Sequence, residues 1–190
     1  MIYKFLFFIG LLFCTITAQA QVYTADNTVR IYIEGTDQLY EYTSDKLMVR
    51  LNDETQKIEC ILPIESLVPA NVLSPQVLAY DVFFEQKYPL FQFQFNAPIE
   101  TLNKQNLNSE PMQLTGKVQF QGRDGDQIFP TVFMPYEESF SFRTNFNFTI
   151  QAMEGTLPRK YKTMLTGFIR VQVLNATWVR PVGAPNPINR

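Results

Sequence analysis

Residues 78–95 read LAYDVFFEQKYPLFQFQF, and the two halves of this stretch obey different rules. From Val77 to Lys87 apolar residues cluster without a strand period, and Phe83 and Phe84 stand side by side. Tyr88–Pro89 ends that pattern, because a proline pushes the residue before it toward extended backbone. Beyond the break, Phe91, Phe93 and Phe95 alternate with Gln92 and Gln94. Alternation at period two marks a strand with one dry face and one wet face. A short apolar plug therefore leads into a strand whose dry face is aromatic.

The same alternation extends in both directions. Val29–Gly35 sets Val29, Ile31 and Ile33 against Arg30, Tyr32 and Glu34. Leu47–Leu51 and Ile58–Leu67 alternate on either side of the polar turn Asn52–Thr55, which predicts a hairpin. Pro69–Lys87 is the helical candidate, and Pro75 limits its length. After the phenylalanine strand Tyr88–Ile99 comes a polar loop, Thr101–Pro111, then a strand over Met112–Gln121 and a turn over Gly122–Asp126. Ile128–Tyr136 carries Pro130 and Pro135, which demotes it to an edge or an irregular insertion. Ser139–Arg143, Asn145–Ala152 and Met164–Val179 complete the set. The pattern predicts an all-β fold: an antiparallel barrel of about eight strands with one short helical segment near residues 70–87.

A chain of 190 residues fits one domain. Lys4, the apolar run Phe5–Cys14 and the Ala18–Gln19–Ala20 end read as a secretory signal peptide cleaved after Ala20. The run is shorter than the roughly 20 apolar residues a spanning helix needs. The expected organisation is a signal at 1–20, a barrel domain at 21–180 and a loose tail at 181–190, in a protein that is secreted or periplasmic. Cleavage removes Cys14 and leaves Cys60 alone, so no disulfide forms within the mature chain. Cys60 sits at an apolar position of an alternating strand and is expected to be a buried, inert thiol. Removing Lys4 moves the formal charge from −2 to −3, too acidic for a nucleic-acid surface.

The chain has no histidine, which removes the commonest general base and the commonest metal ligand. With one mature cysteine a thiolate metal site cannot be built, and no glycine-rich loop forms a phosphate cradle. The acidic pairs Asp124–Asp126 and Glu137–Glu138 sit in turn-like, solvated surroundings. The sequence therefore predicts no enzyme, no metal and no cofactor.

Two segments carry a family resemblance. Leu78, Phe83–Phe84, Lys87, Tyr88–Pro89 and Phe93 match the spacing of the "L…FF…KYP…F" segment of the YceI-like family. Thr115–Gly122, TGKVQFQG, resembles that family's "TGxLTxHG" strand, with Thr115, Gly116 and Gly122 in step. Gln121 stands where the family shows histidine and Gln119 where it shows threonine; parity points both away from the dry face, to the outside or the rim. The resemblance implies a small, secreted, lipocalin-like barrel that holds a long apolar molecule, typically a polyisoprenoid.

On that reading Phe83 and Phe84 plug one end, and Phe91, Phe93, Phe95, Leu114, Val118, Phe120, Phe146 and Phe148 form the wall around an apolar lipid. Phe140 and Phe142 share the inward parity. Each methylene moved from water into such an interior gains roughly 0.8 kcal/mol. Composition alone supports a rival, in which the rings simply fill the barrel. A ligand-free structural or protein-interaction domain of the cell envelope is then the alternative function. A homodimer is compatible with either.

Overall fold

The computed structural model describes residues 24–52, 54–98, 110–136 and 139–177. Period-two burial runs through the long strands because apolar residues occupy every second position and turn to one side. The strands are β1 (Thr24–Gly35), β2 (Leu39–Asn52), β3 (Lys57–Pro63), β4 (Val68–Pro69), β5 (Leu90–Asn96), β6 (Met112–Phe120), β7 (Arg123–Tyr136), β8 (Ser139–Thr149) and β9 (Leu165–Thr177). A single α-helix, α1 (Gln76–Phe83), lies between β4 and β5. The strands pair antiparallel in the order β1-β9-β8-β7-β6-β5-β3-β2, and β2 returns to β1, closing an eight-stranded barrel. Closure leaves no open edge in the ring. The short β4 flanks β2 through Thr43 and Tyr42.

Strand polarity sorts the connections to two ends. One end carries the β1–β2 turn, α1, the β6–β7 turn and the β8–β9 connection; the other carries the β2–β3 turn and both ends of the described chain. The expected signal peptide, residues 101–109, the Glu137–Glu138 pair and the expected tail lie outside the described residues.

Four expectations about the elements are corrected. The strand expected at Leu47–Leu51 begins at Leu39. Alternation breaks where Asp45 and Lys46 are both exposed, and the β1–β2 register shifts between Asn27↔Leu47 and Val29↔Ser44. A bulge of this kind flips parity, so Tyr40 and Tyr42 fall out of step with Leu47 and Val49 although all four are buried. The Asn27 amide fills the bulge, donating to Leu47 O at 2.9 Å and to Thr24 O at 3.2 Å.

All of the expected turn Gly122–Asp126 but Gly122 joins the demoted run Ile128–Tyr136 in one strand, β7. Asp124 and Asp126 are therefore strand residues, registered against Gln119 and Lys117. Pro130 is registered against Gln113 of β6 and Pro135 against Phe140 of β8; among the described residues neither has a register partner on both sides. Each proline lacks an N–H at a place where one ladder suffices. The two runs expected on either side of Thr144 are one strand as well, and Thr144 Oγ1 donates to Pro130 O at 3.0 Å. The strand expected over Ile58–Leu67 stops at Pro63 and passes into a single 3-10 turn, Ile64–Ser66.

The segments that carry the family resemblance are neighbours in space. Phe93 is registered against Val118 and Phe95 against Gly116. A Cβ at Gly122 would stand 2.4 Å from the Tyr88 ring, so that ring lies directly on the glycine.

Candidate functional site

Period-two alternation sends the dry faces of eight strands into one interior, and that interior has two halves. β5, β7 and β8 supply Phe91, Phe93, Phe95, Phe129, Phe133, Phe140, Phe142, Phe146 and Phe148. β1, β2, β3 and β9 supply mainly aliphatic side chains, among them Val29, Ile31, Leu47, Ile58, Leu62 and Val171. Between the aromatic strands β6 contributes Leu114, Val118 and Phe120. Of the ten residues expected to form the plug and wall, nine, Phe83, Phe91, Phe93, Phe95, Leu114, Val118, Phe120, Phe146 and Phe148, are buried together, and Phe84 is not.

Within that interior the rings meet one another. Phe93 of β5 lies 5.1 Å from Phe146 of β8 between ring centroids, and Phe95 lies 5.6 Å from Phe142. These strands are separated by β6 and β7, so the contacts reach across the barrel. Phe129 sits at the centre of the cluster, 4.7 Å from Phe146, 5.1 Å from Phe95 and 6.0 Å from Phe93. Sequence reasoning missed Phe129. Its alternation with Thr131 and Phe133 was legible, but the flanking prolines discounted the run.

One end of the interior is stoppered by α1. Pro75 precedes the helix in extended conformation, and Leu78, Ala79, Val82 and Phe83 turn inward. Phe83 meets Phe91 and Phe120 edge-on, each at 5.3 Å. The expected pair of plugs is divided. Phe84 is only partly buried and caps the helix at φ 53°, with its carbonyl accepting the Tyr88 N–H at 2.8 Å. The helix needs this left-handed residue to stop and turn into β5.

Polar groups gather where α1 meets the β8–β9 connection. Tyr161 Oη donates to Asp81 Oδ2 at 2.7 Å, and Lys160 Nζ lies 2.6 Å from the same oxygen. Burial pushes the Asp81 carboxyl up, but hydrogen bonds from Lys160 and Tyr161 and the Lys160 charge outweigh it and hold the group below its ordinary value. The Asp81 hydrogen bond raises Lys160, and burial followed by the Asp81 bond raises Tyr161. Tyr42, fully buried, donates to Pro75 O at 2.8 Å; burial pushes its phenol up. Cys60 is buried within the wall, and burial raises its thiol well above the ordinary range.

Gln121 lies at the rim, one of its two expected places, but its side chain does not point away from the dry face. Gln121 and Gly122 form the two-residue β6–β7 turn, at φ 51° and 74°, the geometry of a tight hairpin. The turn directs the Gln121 side chain inward, and it is buried beneath α1. Its Nε2 donates to Val82 O at 2.7 Å, and its Oε1 accepts the Thr156 N–H at 2.8 Å. Strict parity failed here because the turn re-aims the side chain. Gln119 stays on the outer face, donating to Asp124 Oδ1 at 3.2 Å.

Among the described residues no group of three or more His, Cys, Asp or Glu could hold a metal ion. The buried polar residues among them are Thr, Asn, Ser and Gln, with no Asp, Glu, Lys or Arg. An interior of this kind can exclude water and pack hydrocarbon; it presents no charged group to a ligand.

By sequence, no family model and no curated protein matches the chain. By structure, a polyisoprenoid-binding domain from Saccharophagus degradans, implicated in plant cell wall breakdown, superimposes with a TM-score of 0.62. That match covers 80% of this chain and 95% of the other, at 9% identity. Burkholderia cenocepacia BcnA superimposes at 0.57 over 78% of this chain and 96% of its own, at 14% identity. The chain shares its fold with both. A YceI protein of Campylobacter jejuni superimposes more loosely, at 0.48 over 87% of this chain and 89% of its own, at 11% identity. In this barrel the segments around Tyr88–Pro89 and Thr115–Gly122 are the paired strands β5 and β6 with the turn beyond them.

Proposed function

We propose that this protein binds an apolar chain lipid, of isoprenoid or fatty-acyl type, inside its barrel, and serves in the cell envelope as a carrier or store. The observation that carries the reading is the composition of the interior: aromatic on one half, aliphatic on the other, with no buried charged side chain among the described residues. The structural likeness to a polyisoprenoid-binding domain supports it. The signal-like N-terminus, Lys4 followed by an apolar run to Cys14, supports the envelope. No reaction is proposed.

The ring cluster sets the condition for binding. A guest has to part aromatic contacts that span 4.7 to 6.5 Å between centroids. Each such pair contributes about 0.5–1.5 kcal/mol beyond area burial, so separating four of them costs about 2–6 kcal/mol. A guest that buries a dozen methylenes gains on the order of 10 kcal/mol before ordering costs. Displacement is favourable when the rings turn within the barrel and stay dry. Phe83, Phe84, Phe91, Phe93, Phe95, Leu114, Val118, Phe120, Phe146 and Phe148 remain the residues assigned to the guest, joined by Phe129.

The ring contacts themselves favour a second reading, a barrel filled by its own side chains that serves as a structural or interaction domain. Organic extraction of folded protein purified from the cells that make it, followed by mass spectrometry, separates the two. The carrier reading expects a discrete long-chain lipid approaching one per protein. Folded protein that releases none leaves the filled barrel standing.

A further inference from the structure

Two segments from distant parts of the chain close the same end of the barrel: α1, and the strap, residues 151–164 of the connection 150–164 between β8 and β9. Both rest on Phe120. Phe83 of α1 lies 5.3 Å from that ring, and a Cβ at Gly155 of the strap would stand 3.0 Å from its Cε1. A recess of about 480 Å³ runs beside the strap, between Ile150, Gly155 and Gly167.

The seam between α1 and the strap is held by side chains. Among the described residues no backbone–backbone hydrogen bond joins its two banks, although each bank is anchored to its own neighbours, as by Glu85 N–H to Tyr80 O and Thr36 N–H to Met164 O. Across the seam run the Tyr161 and Lys160 contacts to Asp81. At its inner side the Gln121 amide serves both banks, donating to Val82 O of α1 at 2.7 Å and to Thr156 O of the strap at 3.1 Å, and accepting the Thr156 N–H at 2.8 Å. Lid segments are drawn from regions with few backbone ties to their surroundings. A seam of side-chain bonds over an apolar interior meets that description.

We infer that the seam between α1 and the strap is the port through which an apolar chain passes, and that Gln121 is its clasp, with the Tyr161–Asp81 pair as a second bolt. The inference rests on the carrier reading. Parting the seam moves Phe83 off Phe91 and Phe120 and opens the aromatic half of the barrel. The clasp is the same whether the barrel is empty or filled, so it governs how fast a guest passes and leaves the affinity unchanged.

The test uses the mature chain, stripped of lipid, and diphenylhexatriene as an apolar probe whose fluorescence rises on transfer from water. Gln121→Ala should raise the rates of uptake and release together, each on the order of tenfold, with the equilibrium affinity within about twofold of wild type. Tyr161→Phe keeps the buried ring and removes only the hydroxyl; it should raise both rates by about threefold. Hydrogen–deuterium exchange should show faster amides in 151–164 and α1 and unchanged amides in β1, β2 and β9. If the wild type takes up the probe and Tyr161→Phe and a folded Gln121→Ala do so at the same rate, the port is overturned while the carrier reading stands. If no protein takes up the probe, both fall, and faster exchange at the seam then marks Gln121 as a structural tie alone.

Discussion

A Cβ at Gly116 would stand 2.0 Å from Gln94 O and 2.6 Å from Phe95 Cα, so β5 and β6 approach each other here only because the side chain is absent. Gly167 is the contrasting case, at φ 84° with nothing within 4 Å of a built Cβ. Gly116→Ala must displace backbone and should destabilise by about 2–4 kcal/mol, whereas Gly167→Ala bears only left-handed strain of about 1–2 kcal/mol. Urea midpoints at unchanged m-value would read this ranking; an equal loss at both sites would refute the close approach. The cluster where α1 meets the β8–β9 connection makes a second residue-scale expectation, about pH. Asp81 is held below its ordinary 3.8, so the stability it contributes is present above that value and is lost as pH falls through the lower folded value. Lys160 is raised above 10.5 and Tyr161 above 10.0; their contributions are present below those values and are lost as pH rises through the higher folded ones. The stability gap between wild type and Asp81→Asn should therefore stay flat between about pH 5 and pH 9 and narrow outside it. Denaturation across pH would check this, and a gap that changes near neutrality would count against the Asp81–Lys160–Tyr161 assignment.

At the scale of the element, what the sequence revealed and what it hid have separate causes. Strands with unbroken parity, such as β1 through Val29–Ile33 and β5 through Phe91–Phe95, could be read directly, because each alternate side chain is buried. The first half of β2 could not, since the bulge at Asp45–Lys46 reverses parity and only the pairing with β1 reveals it. β7 was hidden by Pro130 and Pro135, and with it Phe129, because a local proline rule cannot know that each has its ladder partner on one side. The stoppered end was half legible. The apolar cluster before Tyr88–Pro89 gave the plug, but Gln121, Thr156 and Tyr161 lie far from α1 in sequence and meet it only in the closed barrel. The plug itself carries an expectation. Phe83 is buried with two edge-on ring contacts, so Phe83→Ala should destabilise by about 3–5 kcal/mol. Phe84→Ala, at the half-exposed turn, should lose about 1 kcal/mol or less. Thermal or urea denaturation of the two variants would show whether the helix seals the barrel through Phe83 alone.

For the whole molecule, the division of the barrel into an aromatic half and an aliphatic half decides whether the interior is a core or a container. In a core the rings across the barrel support one another permanently. In a container they do so only when nothing else is inside. Phe93 on β5 and Phe146 on β8 lie 5.1 Å apart with two strands between them, which makes them a direct probe of the difference. A double-mutant cycle with Phe93→Leu and Phe146→Leu keeps the interior apolar and deletes the ring contact. In lipid-free protein the coupling should be about 0.5–1.5 kcal/mol, as for other aromatic pairs in contact. On the carrier reading a guest in lipid-loaded protein would stand between the rings, and the coupling should fall toward zero. Urea denaturation of the four proteins, stripped and loaded, measures both values. A coupling that persists unchanged in the loaded state would mean that these rings never part, and any lipid recovered with the protein would have to sit outside the barrel.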